Sequence, residues 1–84
     1  MEVGDVITQD KDVVFRSMKA GSVIKIIRGG SRGEPESFVM RLSEKAEHKV
    51  NYGGVCIMSP IQEDIGTLWG TSLGDYHYEI VKLT

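Results

Sequence analysis

Ser22-Val23-Ile24-Lys25-Ile26-Ile27-Arg28 is the stretch on which the fold of this chain turns. Val and Ile have branched side chains with restricted rotamers, and these fit a pleated strand better than a helix. In an extended chain Ile24 and Ile26 point to one face, and Val23 and Ile27 to the other. A strand that is apolar on both faces belongs in the middle of a sheet or in a barrel wall.

Working outward from there, Lys19-Ala20-Gly21 turns the chain into this strand, and Val13-Val14-Phe15-Arg16-Ser17-Met18 before it also reads as strand. Asp10-Lys11-Asp12 is a polar break, and Val3–Thr8 reads as a first short strand. On the other side, Gly29-Gly30-Ser31-Arg32-Gly33-Glu34-Pro35 is a loop. Residues 36–49 are ambiguous. Phe38, Met40 and Leu42 alternate as in a strand over 37–43, but Phe38, Leu42 and Ala46 also recur at helical spacing after Pro35. Lys49–Tyr52 and Val55–Met58 read as strand around Gly53-Gly54, which marks a tight turn or a bulge. Ser59-Pro60-Ile61-Gln62 has the N-cap, first-position proline and capping-box Gln of a helix start, so a short helix is expected over Pro60–Ile65. Thr67-Leu68-Trp69 and Tyr76–Leu83 complete the strands.

Short strands separated by glycine turns, with one short helix, predict a mostly β chain. The architecture is a small barrel or a rolled antiparallel sheet, and the alternative is an α+β fold with a helix in 36–49. At 84 residues the chain is long enough for a single domain, 1–84. Gly4-Asp5-Val6-Ile7, followed by Ala20-Gly21-Ser22-Val23-Ile24-Lys25-Ile26, resembles the opening of SH3-like barrel modules, including the KOW type. The resemblance implies an SH3-like barrel that binds a peptide, RNA or DNA. The segment between the two halves departs from the glycine-rich loop of KOW modules, because Val13-Val14-Phe15 is apolar.

The single cysteine, Cys56, excludes an internal disulfide and fits a reducing compartment. No apolar run approaches the roughly 20 residues of a membrane span, and the start Met1-Glu2-Val3-Gly4-Asp5 is unlike a signal peptide. The expected location is cytoplasmic.

Charge is distributed unevenly. The net charge is −2, but nine of the ten Lys and Arg residues lie between Lys11 and Lys49, and that segment sums to +4. Each flank sums to −3. A local positive field attracts phosphates or carboxylates whatever the average charge. Arg28 and Arg32 bracket the glycine loop, and a guanidinium offers paired donors to either group. If strands 22–28 and 37–43 pair as a hairpin, Lys25, Arg41, Lys45 and Lys49 extend that patch, with Tyr52 the nearest aromatic for stacking on a base. Glu34, Glu36, Glu44 and Glu47 interleave the same region and dilute its field.

Trp69, Tyr76 and Tyr78, beside Asp75 and Glu79, form either a peptide groove or part of the core. His48, Cys56 and His77 lack the short paired spacing of a metal site. No nucleotide-binding loop, cofactor motif or nucleophile–base pair is visible. The sequence therefore predicts a non-enzymatic binding module without cofactor. A protein-interaction or regulatory role leads, with DNA or RNA binding through 11–49 as the alternative.

Overall fold

A computed structural model describes residues 1–27, 37–42, 52–70 and 76–84. Six strands occur among them: β1 (Val6–Ile7), β2 (Val23–Ile27), β3 (Ser37–Arg41), β4 (Tyr52–Met58), β5 (Leu68–Gly70) and β6 (His77–Lys82). They form one antiparallel sheet in the order β1-β6-β2-β3-β4-β5. Among the described residues the chain is mostly β with one short α-helix. The sheet is open, with β1 and β5 at its two edges, so the expected barrel does not close.

β2 lies between β6 and β3, the central position its two apolar faces require. β3 settles the ambiguous segment as far as it is described. Ser37, Val39 and Arg41 are buried while Phe38 and Met40 are half-buried, the period-two signature of a strand. Residues 36 and 43–49 of that segment lie outside the described residues. Gly53-Gly54 is within β4, where the pairing with β5 slips between Tyr52 and Gly54, so it marks an irregularity in the ladder and not a turn.

Two local expectations are corrected. Val13–Met18 is not a strand: Lys11–Ser17 forms helix α1. The sequence signal for it is a stripe. Val14, Phe15 and Met18 recur at helical spacing and turn inward, while Val13, Arg16 and Ser17 are exposed. Asp12 in the first turn and Arg16 in the last suit the helix dipole and pair at 3.4 Å. An isolated two-turn helix is marginal in water, so burial of Phe15 and Met18 has to supply its stability. The second correction concerns Pro60–Ile65, which is only a 3₁₀ turn over Gln62–Asp64. The Ser59 hydroxyl does accept a backbone hydrogen bond, but from Ile61 N–H at 3.1 Å, in a local turn that no α-helix follows.

α1 covers one face of the sheet. Phe15, Met18, Ile24, Ile26, Val39, Tyr78 and Ile80 form the core there. The register aligns them, with Ile24 opposite both Val39 and Ile80, and Ile26 opposite Tyr78. Phe15 meets Tyr78 edge-on at 6.2 Å between ring centroids. The Tyr78 hydroxyl donates to the Lys11 carbonyl at 2.7 Å, which fastens the start of α1 to β6.

Candidate functional site

The structure describes three of the seven residues read from the sequence as partner contacts. Arg28, Arg32, Lys45 and Lys49 lie outside the described residues. Tyr52 opens β4 opposite Gly70. β2 and β3 pair antiparallel as the patch required, yet their register separates its two described cations. Lys25 is opposite Phe38, whereas Arg41 shares its face with Ser37 and Val39. The two cations therefore lie on opposite faces of the sheet.

Arg41 is 1% exposed, which corrects its place on a binding face. Its Nη1 donates to the Gly53 carbonyl at 2.9 Å and its Nη2 to the Arg16 carbonyl at 3.3 Å. The guanidinium also lies over the Phe15 ring, 5.5 Å from the centroid. This arginine ties α1 to β3 and β4. Lys25 is on the outer face, and its ammonium is 3.6 Å from the Glu79 carboxylate on β6.

The late aromatics pack inward. Tyr78 is fully buried, and desolvation by that burial, with the nearby Asp12 charge second, pushes its phenol well above the usual tyrosine range. Trp69 and Tyr76 are partly buried against the core with their rings 5.9 Å apart. Asp75 lies outside the described residues, and Glu79 is held by Lys25. Cys56 is buried beside Val39, and His77 lies opposite Ile27 on β6. Among the described residues no three His, Cys, Asp or Glu side chains converge as metal ligands. No helix among them is long and apolar enough to cross a membrane.

The feature that sequence reasoning missed is the outer face itself. One cross-strand row runs Val6, Glu79, Lys25, Phe38, Met58 across β1, β6, β2, β3 and β4. The next runs Lys82, Val23, Met40, Val55, Leu68 across β6, β2, β3, β4 and β5. Directly opposed residues share a face. Phe38, Met40, Val55, Met58 and Leu68 therefore form one apolar patch on three neighbouring strands. Met58 is 59% exposed and Leu68 53%. Beside the patch, Lys25 and Glu79 neutralise each other. The sequence signal was the absence of a polar face in Phe38-Val39-Met40 and in Val55-Cys56-Ile57-Met58.

A register slip between Phe38 and Val39 leaves Ile57 as an extra residue in β4, since Cys56 is opposite Val39 and Met58 is opposite Phe38. Ile57 and Met58 are both exposed as a result. Where β4 ends, Phe38, Met58, Ser59 and Pro60 line an open cleft of about 350 Å³. No family model, no curated protein and no solved structure matches this chain.

Proposed function

We propose that this chain is a non-enzymatic protein-interaction or regulatory module whose contact surface is the outer face of β3, β4 and β5. The observation that supports this reading is the patch of five apolar side chains facing away from the core, two of them more than half exposed. Contiguous apolar surface costs solubility and characteristically marks a protein contact. The same proposal includes the resemblance to SH3-like modules. Gly4 and Gly21, the glycines of that motif, both adopt positive φ, at +96° and +94°, near the starts of β1 and β2. A cytoplasmic location fits the lone thiol of Cys56, buried and reduced.

The alternative, DNA or RNA binding, has less support among the described residues, because Arg41 is buried and Lys25 is paired with Glu79. It rests on Arg28, Arg32, Lys45 and Lys49.

A photo-crosslinking side chain placed at Leu68, in extract of cells that express the chain, tests the reading against the same group at Val13. Val13 is equally exposed but belongs to α1, which packs on the other face of the sheet. Discrete protein adducts are expected from position 68 that disappear on adding excess unlabelled chain, and none from position 13. Equal labelling at both positions would remove the proposal. A low-salt gel shift with DNA or RNA that is lost on replacing Arg28 and Arg32 by Ala would move the assignment to nucleic acid.

A further inference from the structure

We propose that Met58 is a reversible oxidation site, and that its sulfoxide, formed by hydrogen peroxide, switches off the apolar contact face. The switch rests on the protein-interaction reading, whereas the oxidation site does not.

Oxidation of a methionine follows access to its thioether. Met58 is 59% exposed and Met18 2%, while Met40 is half-buried on β3. Met1 is exposed as well, but it is not among the residues of the patch. Met58 also lines the open cleft where β4 ends, which admits a reagent as small as peroxide. The thiol that would ordinarily take the oxidant first is shielded. Cys56 stands two residues earlier on the same strand but is 1% exposed, and its Sγ–H donates to the Met58 carbonyl at 3.6 Å. Thiol oxidation needs an accessible thiolate, so peroxide reaches the Met58 thioether before it reaches Cys56.

In the step, a lone pair on the Met58 sulfur attacks one oxygen of hydrogen peroxide, so that a sulfur–oxygen bond forms and the oxygen–oxygen bond breaks. The departing hydroxide takes the remaining proton from the transferred oxygen and leaves as water. Sulfur loses two electrons and the peroxide gains them. A flexible apolar side chain becomes a polar, chiral one. Its position decides the consequence. Met58 is opposite Phe38, and the side chains of Phe38, Met40, Val55 and Leu68 carry no N–H or O–H to bond the new oxygen. Lys25, two strands away in the same row, is engaged by Glu79. A partner covering the patch then either buries an unpaired acceptor or leaves it wet, and both lose affinity. The core is untouched, since Met58 is not among its residues. Methionine sulfoxide reductases, one for each epimer, restore the thioether; the oxygen leaves as water and a dithiol reductant becomes a disulfide.

Purified chain is treated with limiting hydrogen peroxide and mapped by peptide mass spectrometry. Sulfoxide should appear at Met58 at least about tenfold faster than at Met18, with Met40 between them, and before Cys56 loses its capacity for alkylation after unfolding. Chain carrying the crosslinking group at position 68 is then oxidised, freed of peroxide with catalase and added to gel-filtered extract. Its protein adducts should fall at least about tenfold and return after treatment with both reductases and dithiothreitol, while the melting temperature stays in place. Met58→Leu, compared with its own level before peroxide, should lose no adducts although Met1 and Met40 remain oxidisable. Met58→Gln should reproduce the loss without peroxide. Oxidation of Met18 or Cys56 ahead of Met58 would overturn the site. Adducts that survive oxidation, that Met58→Leu also loses, or that fall only with unfolding would overturn the switch and leave the interaction module standing. Absence of adducts even from the reduced chain would remove the module and the switch together, and the mass map would still decide the site.

Discussion

The Arg41 guanidinium is stacked over the Phe15 ring with 5.5 Å to the centroid, so the most deeply buried cation described in this chain holds its helix to its sheet. Burying a charge is costly unless hydrogen bonds replace its water. Here the carbonyls of Gly53 on β4 and Arg16 on α1 accept from two different nitrogens of the fork. Only a guanidinium presents donors in both directions at once.

Arg41→Ala should therefore cost at least about 3 kcal/mol, from two charge-assisted hydrogen bonds of roughly 1.5–3 kcal/mol each and the lost ring contact. A domain of this length has a total stability of roughly 4–12 kcal/mol, so the loss is large. Arg41→Lys should recover less than half of it, because one ammonium does not reach both carbonyls. Urea unfolding of the two variants measures both values. A lysine variant within about 0.5 kcal/mol of the parent would show that charge alone suffices.

A second prediction concerns the close packing of Gly54 against the core. A Cβ on Gly54 would lie 2.7 Å from Val39 Cγ1 and 3.1 Å from Phe15 Cζ. Val39 is β-branched and fully buried, so its methyl has nowhere to turn. Gly54→Ala should destabilise by about 2 kcal/mol, the scale of core overpacking. Combined with Val39→Ala, it should cost less than the sum of the two single changes, since each relieves the other. Strict additivity in a double-mutant cycle would refute the steric account.

The third prediction uses the Tyr78 phenol. Its folded-state pKa is raised, first by burial and then by Asp12, while the unfolded chain titrates near the ordinary value of about 10. The resulting stability is fully present below about pH 10. It declines as pH rises beyond that point, because the unfolded state sheds its proton first. Tyr78→Phe should remove the hydrogen bond to the Lys11 carbonyl, costing about 1 kcal/mol at pH 7. The gap between parent and variant should then narrow above pH 10. Chemical denaturation at pH 7, 9 and 10.5 reads the difference, and a gap that stays constant would contradict it.

The sequence by itself determined two of the strands outright. β2 was legible because a β-branched run with two apolar faces has few other solutions, and β6 because Tyr78 and Ile80 alternate with polar neighbours. Tertiary structure decided α1, over a weak helical stripe in its sequence. Val13-Val14-Phe15 favours strand locally, by an amount smaller than the gain from burying Phe15 and Met18 against Ile24, Val39 and Tyr78. It also decided the fate of Arg41. Charge counting placed Arg41 with Lys25, but a strand changes face at every residue, and the observed register sends one cation into the core and the other to an ion pair. The apolar patch has the same origin. Phe38, Met40, Val55, Met58 and Leu68 come from three separate segments, and only the pairing of β3 with β4 and of β4 with β5 makes them neighbours. Composition and local periodicity report which residues are apolar, whereas long-range register decides which of them meet.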